Sequence, residues 1–311
     1  MRKLLLLTFL LISLVGLACE HCNVYLNISP GDYKNSFGIF MRSRTMLGDY
    51  NFSGQNYLKH TSHNSQSGFL GNQVREEYNI YEVRGNFYFK ERWNTIIVLP
   101  FVQNVQYIND IAKYNVSGVG DPMLLQRFQL YNTKLTEDTS KFVHRVTVGI
   151  GIKIPLGSIE REYLYGKPNL DLQPGTGSWD ALGSFSYVVR KQKVGLIFNS
   201  NIKLNSANEN KYQYGNTTNV TANVFYMFRI RKATFVPFYG TYYEKANYDR
   251  NSDIYTDTGG SSCYSDVGFK LNVKNLLLIS NVQFAFENNL NGINQLVPKA
   301  RLIIGLNYLL K

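Results

Sequence analysis

Few residues in this chain have the type and spacing to do chemistry. Cys19-Glu20-His21-Cys22 places two thiols three positions apart with an imidazole between them. Thiolates at that spacing offer soft ligands to copper or zinc, with His21 as a third ligand. They can equally close a small disulfide in an oxidising compartment, and that structural reading is preferred. Haem attachment is excluded, because the histidine precedes the second cysteine. No second CxxC completes a four-ligand zinc site, and Cys263 stands far away in sequence.

The remaining histidines are His60, His63 and His144. His60 and His63 lie in the polar stretch KHTSHNSQSG, where an i,i+3 pair in a loop constrains a metal poorly. His144 opens a strand-like segment with no evident serine partner, and GxSxG is absent. The expectation is therefore a protein that is not an enzyme. The glycine pairs Gly118/Gly120 and Gly149/Gly151 are not phosphate loops, because no helix follows them; they serve close packing or kinks.

The elements that would position these residues are strands. Within residues 172–205, Val194, Leu196, Phe198, Ser200, Ile202 and Leu204 alternate with Gly195, Ile197, Asn199, Asn201, Lys203 and Asn205. Period two gives one apolar and one polar face. The preceding arm repeats the pattern, and the turn between them is Arg190-Lys191-Gln192-Lys193. Each arm matches the roughly 9–11 residues of a tilted strand that crosses a bilayer.

Twelve such segments can be read: 36–47, 76–90, 94–108, 118–132, 143–156, 177–190, 193–205, 217–229, 233–246, 262–274, 276–287 and 298–310. Pro100 and Pro237 interrupt two of them. Short and long connections alternate, which predicts an all-β, transmembrane antiparallel β-barrel of about 12 strands with short periplasmic turns and long extracellular loops. The connection 133–142 departs from this, being long where a short turn is due. Aromatics near strand ends, such as Tyr88, Phe89, Tyr226 and Phe228, suit interfacial girdles.

The N-terminus carries a secretory signal. Met1-Arg2-Lys3 precedes an apolar run through Leu17, and Gly16-Leu17-Ala18 supplies small residues at the cleavage positions. The expected organisation is a signal peptide at 1–18, a periplasmic segment with CxxC at 19–35, and the barrel at 36–311, with Cys19 lipidation as an alternative to ordinary cleavage. Outside this run no apolar stretch is long enough for a helical span. The net charge is +11, spread through turns and polar strand faces rather than gathered on a helix or arm. No nucleic-acid partner is expected.

Alternation aims a set of charges inward: Arg42, Arg44, Glu82, Arg84, Asp121, Arg127, Arg145, Lys153, Asp180, Lys203, Asp266, Lys270 and Glu287. Basic residues outnumber acidic ones, which would favour anions if the pore is open. A barrel this narrow can also be nearly filled by its own side chains.

Gly118-Val119-Gly120-Asp121-Pro122, followed by Gly149-Ile150-Gly151-Ile152-Lys153-Ile154-Pro155-Leu156-Gly157, resembles the "GxGD … GxGxKxPxG" pattern of a Gram-negative outer-membrane transporter family named for the MetA pathway of phenol degradation. Leu172-Gln173-Pro174-Gly175-Thr176-Gly177-Ser178-Trp179-Asp180 is similar to its "LQxGTGSxD" strand entry. Lys211-Tyr212-Gln213-Tyr214-Gly215-Asn216 and the turn Thr258-Gly259-Gly260 fit as well. The chain departs from the family's CxxCxC start, since Asn23-Val24 follows Cys22, and from its aromatic C-terminus. The resemblance implies the barrel and a loose transport role for small hydrophobic or aromatic solutes. Expected surroundings are the outer membrane, its lipid bilayer and lipopolysaccharide, the barrel-assembly machinery and an unidentified small-molecule cargo. Two other readings stay open: a barrel whose CxxC segment handles metal or redox chemistry, and a non-conducting structural or adhesion barrel.

Overall fold

The computed structural model describes residues 34–50, 72–90, 92–133, 142–159, 163, 166–291 and 296–310. The signal segment, Cys19, His21, Cys22, His60 and His63 lie outside them. In chain order the strands are β1 (Ser36–Tyr50), β2 (Asn72–Phe89), β3 (Trp93–Ile108), β4 (Ile111–Val119), β5 (Met123–Asn132) and β6 (Phe142–Lys153). A 3-10 turn, Leu170–Leu172, precedes β7 (Asp180–Lys191), β8 (Val194–Asn205), β9 (Tyr212–Gln213), β10 (Thr217–Tyr226) and β11 (Phe228–Ile230). Then follow β12 (Ala233–Ala246), β13 (Arg250–Asn251), β14 (Ile254–Tyr255), β15 (Gly260–Val273), β16 (Leu276–Leu290) and β17 (Val297–Leu309).

Neighbouring strands pair antiparallel around one ring. It closes where β1 meets β17, with Ser36 opposite Leu309, and runs on through the pairing of β10 with β12. β4 with β5, and β10 with β11, each make one stave, so the wall has twelve. β9, β13 and β14 form a small separate sheet on the loops.

The alternation explains why these segments are strands. On β1, Phe37 and Ile39 face outward and are exposed, whereas Phe40, Arg42, Arg44 and Met46 are buried. On β8, Leu196, Ile202 and Leu204 are exposed and Asn201, Lys203 and Asn205 buried. Polar residues thus sit inside and apolar ones outside, the reverse of a soluble core. An apolar exterior of this kind, with Leu99, Phe101 and Ile150 among its exposed members, suits a lipid environment.

Three departures from simple alternation shape the inside. First, the fourth stave is broken. β4 pairs with the loop-end half of β3, and β5 pairs with the other half, with Gly120-Asp121-Pro122 between them. The chain reaches β4 through a two-residue turn, Asn109-Asp110, both left-handed with φ of 51° and 62°. The segment 111–117, expected to be a connection, is therefore strand. Second, β6 leaves the wall after Lys153 and β7 joins it at Asp180, so the chain between them covers the loop end beside β4. Third, a bulge at Phe286 in β16 puts two residues opposite one.

Candidate functional site

The inward charges form separate groups. Arg42 and Arg84 share the carboxylate of Glu82, and the Arg84 Nε lies 2.7 Å from Glu82 Oε2. Arg84 also stacks over Phe40 at 4.0 Å, and Arg44 over Tyr78 at 4.5 Å. On the adjoining wall, where β17 pairs with β1 and Arg301 stands opposite Arg44, Arg301 donates to Glu244 at 2.8 Å, although β12 and β17 are separated by two strands. Tyr242 and Tyr264 give their hydroxyls to the same carboxylate, at 3.1 and 3.0 Å. Arg42 lies within electrostatic reach of Tyr242, and Arg44 of Tyr264, so the two groups adjoin inside the lumen. Glu82 and Glu244 are almost wholly buried there.

A third group surrounds Asp266, which accepts from the amides of Asn223, Asn281 and Gln283, with Lys270 two steps along the same face, beyond Gly268. Glu82, Glu244 and Asp266 thus each receive at least one donor from another strand, as burial of charge requires.

The fourth group joins the three glycine-rich motifs. Asp121 accepts from the backbone N–H of Gly157 at 2.8 Å and of Thr176 at 2.9 Å, and from the Thr176 hydroxyl at 2.8 Å. Lys153 Nζ lies 2.9 Å from Asp121 and 2.8 Å from Asp180. Lys203 approaches Asp180 to 3.9 Å, and Ser178 donates to it at 2.9 Å. The glycines allow the chain to come this close: a Cβ on Gly175 would fall 2.5 Å from the Gly157 backbone carbon. Asp121 therefore ties the break in the fourth stave to both ends of the segment 154–179.

Arg127 and Arg145 lie on the inward faces of β5 and β6, Arg127 buried and Arg145 half-buried. Glu287 lies on the other face. The bulge at Phe286 reverses the alternation beyond it, so Glu287 stands opposite Cys263, which stands opposite Tyr243, all on the outer surface. That corrects the inward placement expected from period two. His144, also outward, contacts the Tyr187 hydroxyl at 2.8 Å rather than a serine.

Glu76, Glu244 and Arg301 were absent from the expected inward set. Arg301 was visible in principle, since Arg301, Gly305 and Asn307 alternate with Leu302, Ile304, Leu306 and Tyr308. Glu244 was not, because Lys245 follows it and either face could be polar.

At the loop end an apolar cluster of Met46, Tyr78, Tyr114, Val116 and Leu172 fills the interior, and the Asn104 amide holds the Leu172 carbonyl at 3.0 Å. Above it the Tyr212 hydroxyl donates to Asp249 at 2.6 Å. Burial and that neighbouring carboxylate push the Tyr212 phenol well above the ordinary tyrosine range.

No family model and no curated protein matches the sequence. Among solved structures, an outer membrane channel of Pseudomonas putida F1 superposes with a TM-score of 0.64 at 14% identity, covering 91% of this chain and 100% of that one. A FadL homologue of Pseudomonas aeruginosa gives 0.41 at 12% identity, over 89% of this chain and 90% of the other. The translocator domain of the autotransporter NalP of Neisseria meningitidis gives 0.40 at 8%, over 90% of each. The chain shares the overall fold of the first of these and is itself a closed antiparallel barrel of twelve staves.

Proposed function

We propose that this chain is a narrow outer-membrane channel for small solutes that favours anions, with its short turns in the periplasm. One observation carries the reading. Three adjacent strands, β5, β6 and β7, turn Arg127, Arg145 and Arg190 inward at the turn end of the lumen, and the sequence of those strands holds no carboxylate except Asp180 at the loop end. Arginines lining a low-dielectric passage raise the local anion concentration and penalise cations. The ion-paired side chains that meet at mid-height keep the passage narrow, so the conductance should be small.

The test is single-channel recording on the refolded mature protein in a planar bilayer under a salt gradient. A steady small conductance with a reversal potential on the anion side supports the proposal. Silence from protein that still migrates as a heat-modifiable barrel would overturn it.

A further inference from the structure

Arg127 is an inward cation for which the described residues supply no counter-charge. Its side chain is buried, and its Nε has no hydrogen-bond partner. Among the described residues, the groups within electrostatic reach are the Tyr88 hydroxyl and Arg145, the latter of the same sign. Elsewhere in the wall Arg84, Lys153 and Arg301 each meet a carboxylate. A buried guanidinium without a counter-charge is costly, so an anion or its equivalent is wanted at this position.

The neighbouring residues are arranged to receive one. In register across the strands lie Arg127, Gly149 and Ser184. A Cβ at Gly149 would fall 2.8 Å from Arg127 Cγ and 2.4 Å from Ser184 Oγ, so both side chains overlie the glycine. The Ser184 hydroxyl is buried and has no partner of its own. One row toward the loop end the same strands present Leu125, Gly151 and Leu182, which pack with Ile96, Val98 and Met123 as an apolar cluster. Rows on one face of a strand are spaced by about 7 Å. A cationic row and an apolar row thus lie side by side on one flat strip of wall, made by the two glycines of β6.

We infer that Arg127, Ser184 and Arg145 form a subsite for the carboxylate of a small organic acid, whose apolar body rests on Leu125, Leu182 and Ile96. The guanidinium offers paired N–H donors that match a carboxylate, and Ser184 adds an O–H donor. This deepens the channel reading and rests on it, because the acid must enter by the lumen.

The experiment is equilibrium binding of hexanoate, labelled with 13C at the carboxyl, to the full-length refolded barrel in detergent, followed by line broadening. Hexanol serves as the uncharged probe and acetate as the short one. Wild-type protein should bind hexanoate saturably and bind hexanol and acetate more weakly. Arg127→Gln should weaken hexanoate by about tenfold or more, the loss expected for a charge-assisted contact. Arg127→Lys should fall between, and Ser184→Ala should lose about two- to fivefold. Leu182→Ser should weaken hexanoate and spare acetate, while Lys193→Gln on the exposed turn should change nothing. Heat-modifiable migration of each variant confirms its barrel. Hexanoate binding by Arg127→Gln equal to wild type, or equal binding of hexanol, would overturn the subsite. Saturable binding in a protein that never conducts would support the subsite and remove the channel; conduction without binding would remove the subsite alone.

Discussion

Asp121 and Thr176 are 55 residues apart in sequence, yet one carboxylate oxygen, Asp121 Oδ2, takes both the backbone N–H and the hydroxyl of Thr176. The contact fastens the returning chain to the place where the fourth stave breaks. The close approach also accounts for the glycine before the acid: a Cβ at Gly120 would lie 3.1 Å from the Pro174 carbonyl.

Asp121→Asn should release this fastening. Two backbone N–H groups and the Lys153 ammonium lose a charged acceptor, while Lys153 keeps Asp180 at 2.8 Å. The expected loss is about 1–3 kcal/mol. It should appear as faster protease cleavage within 154–179, with the mid-barrel strands still protected from hydrogen exchange. Unchanged cleavage would show that other contacts hold the segment.

Glu244→Gln strands a buried Arg301 guanidinium among Tyr242 and Tyr264. Removing one partner of a buried pair costs about 3–5 kcal/mol. Urea unfolding in vesicles should record that drop. Adding Arg301→Met should restore much of it, since the uncompensated charge is gone; a double variant no better than the single one would contradict the account.

Tyr212 should stay neutral where exposed tyrosines ionise. Its folded-state affinity for the proton is raised by burial and by Asp249. The resulting stability is therefore complete below the ordinary tyrosine value of about 10 and is lost as pH climbs above it. Tyrosinate absorbance of wild type and Tyr212→Phe should coincide through that range and separate only when the fold gives way. A full extra tyrosine titrating near that value in the wild type would refute the burial.

How much of this the sequence revealed follows from the range of each interaction. Period-two patterning is local, so the face of Lys203 or Arg42 could be read from neighbours two residues away. β4 hid because its pattern is inverted: Tyr114 and Val116 turn inward while Asn115 and Ser117 are exposed, as befits a stretch beyond the apolar band. Glu287 was misplaced by one inserted residue, Phe286, which no periodicity announces. The meeting of Asp121, Lys153, Thr176 and Asp180 depends on where three distant segments leave and rejoin the wall. Their motifs showed that these residues belonged together without showing why.

The seam between β1 and β17 sets an order of manufacture. The first strand of the ring has no partner on one side until the thirteen residues of Val297–Leu309 pair with it. Until then both ends of the sheet present raw backbone edges, which pair readily with any strand that offers itself. The pairing of Ser36–Leu47 with Val297–Leu309 is thus the single contact that removes both edges at once.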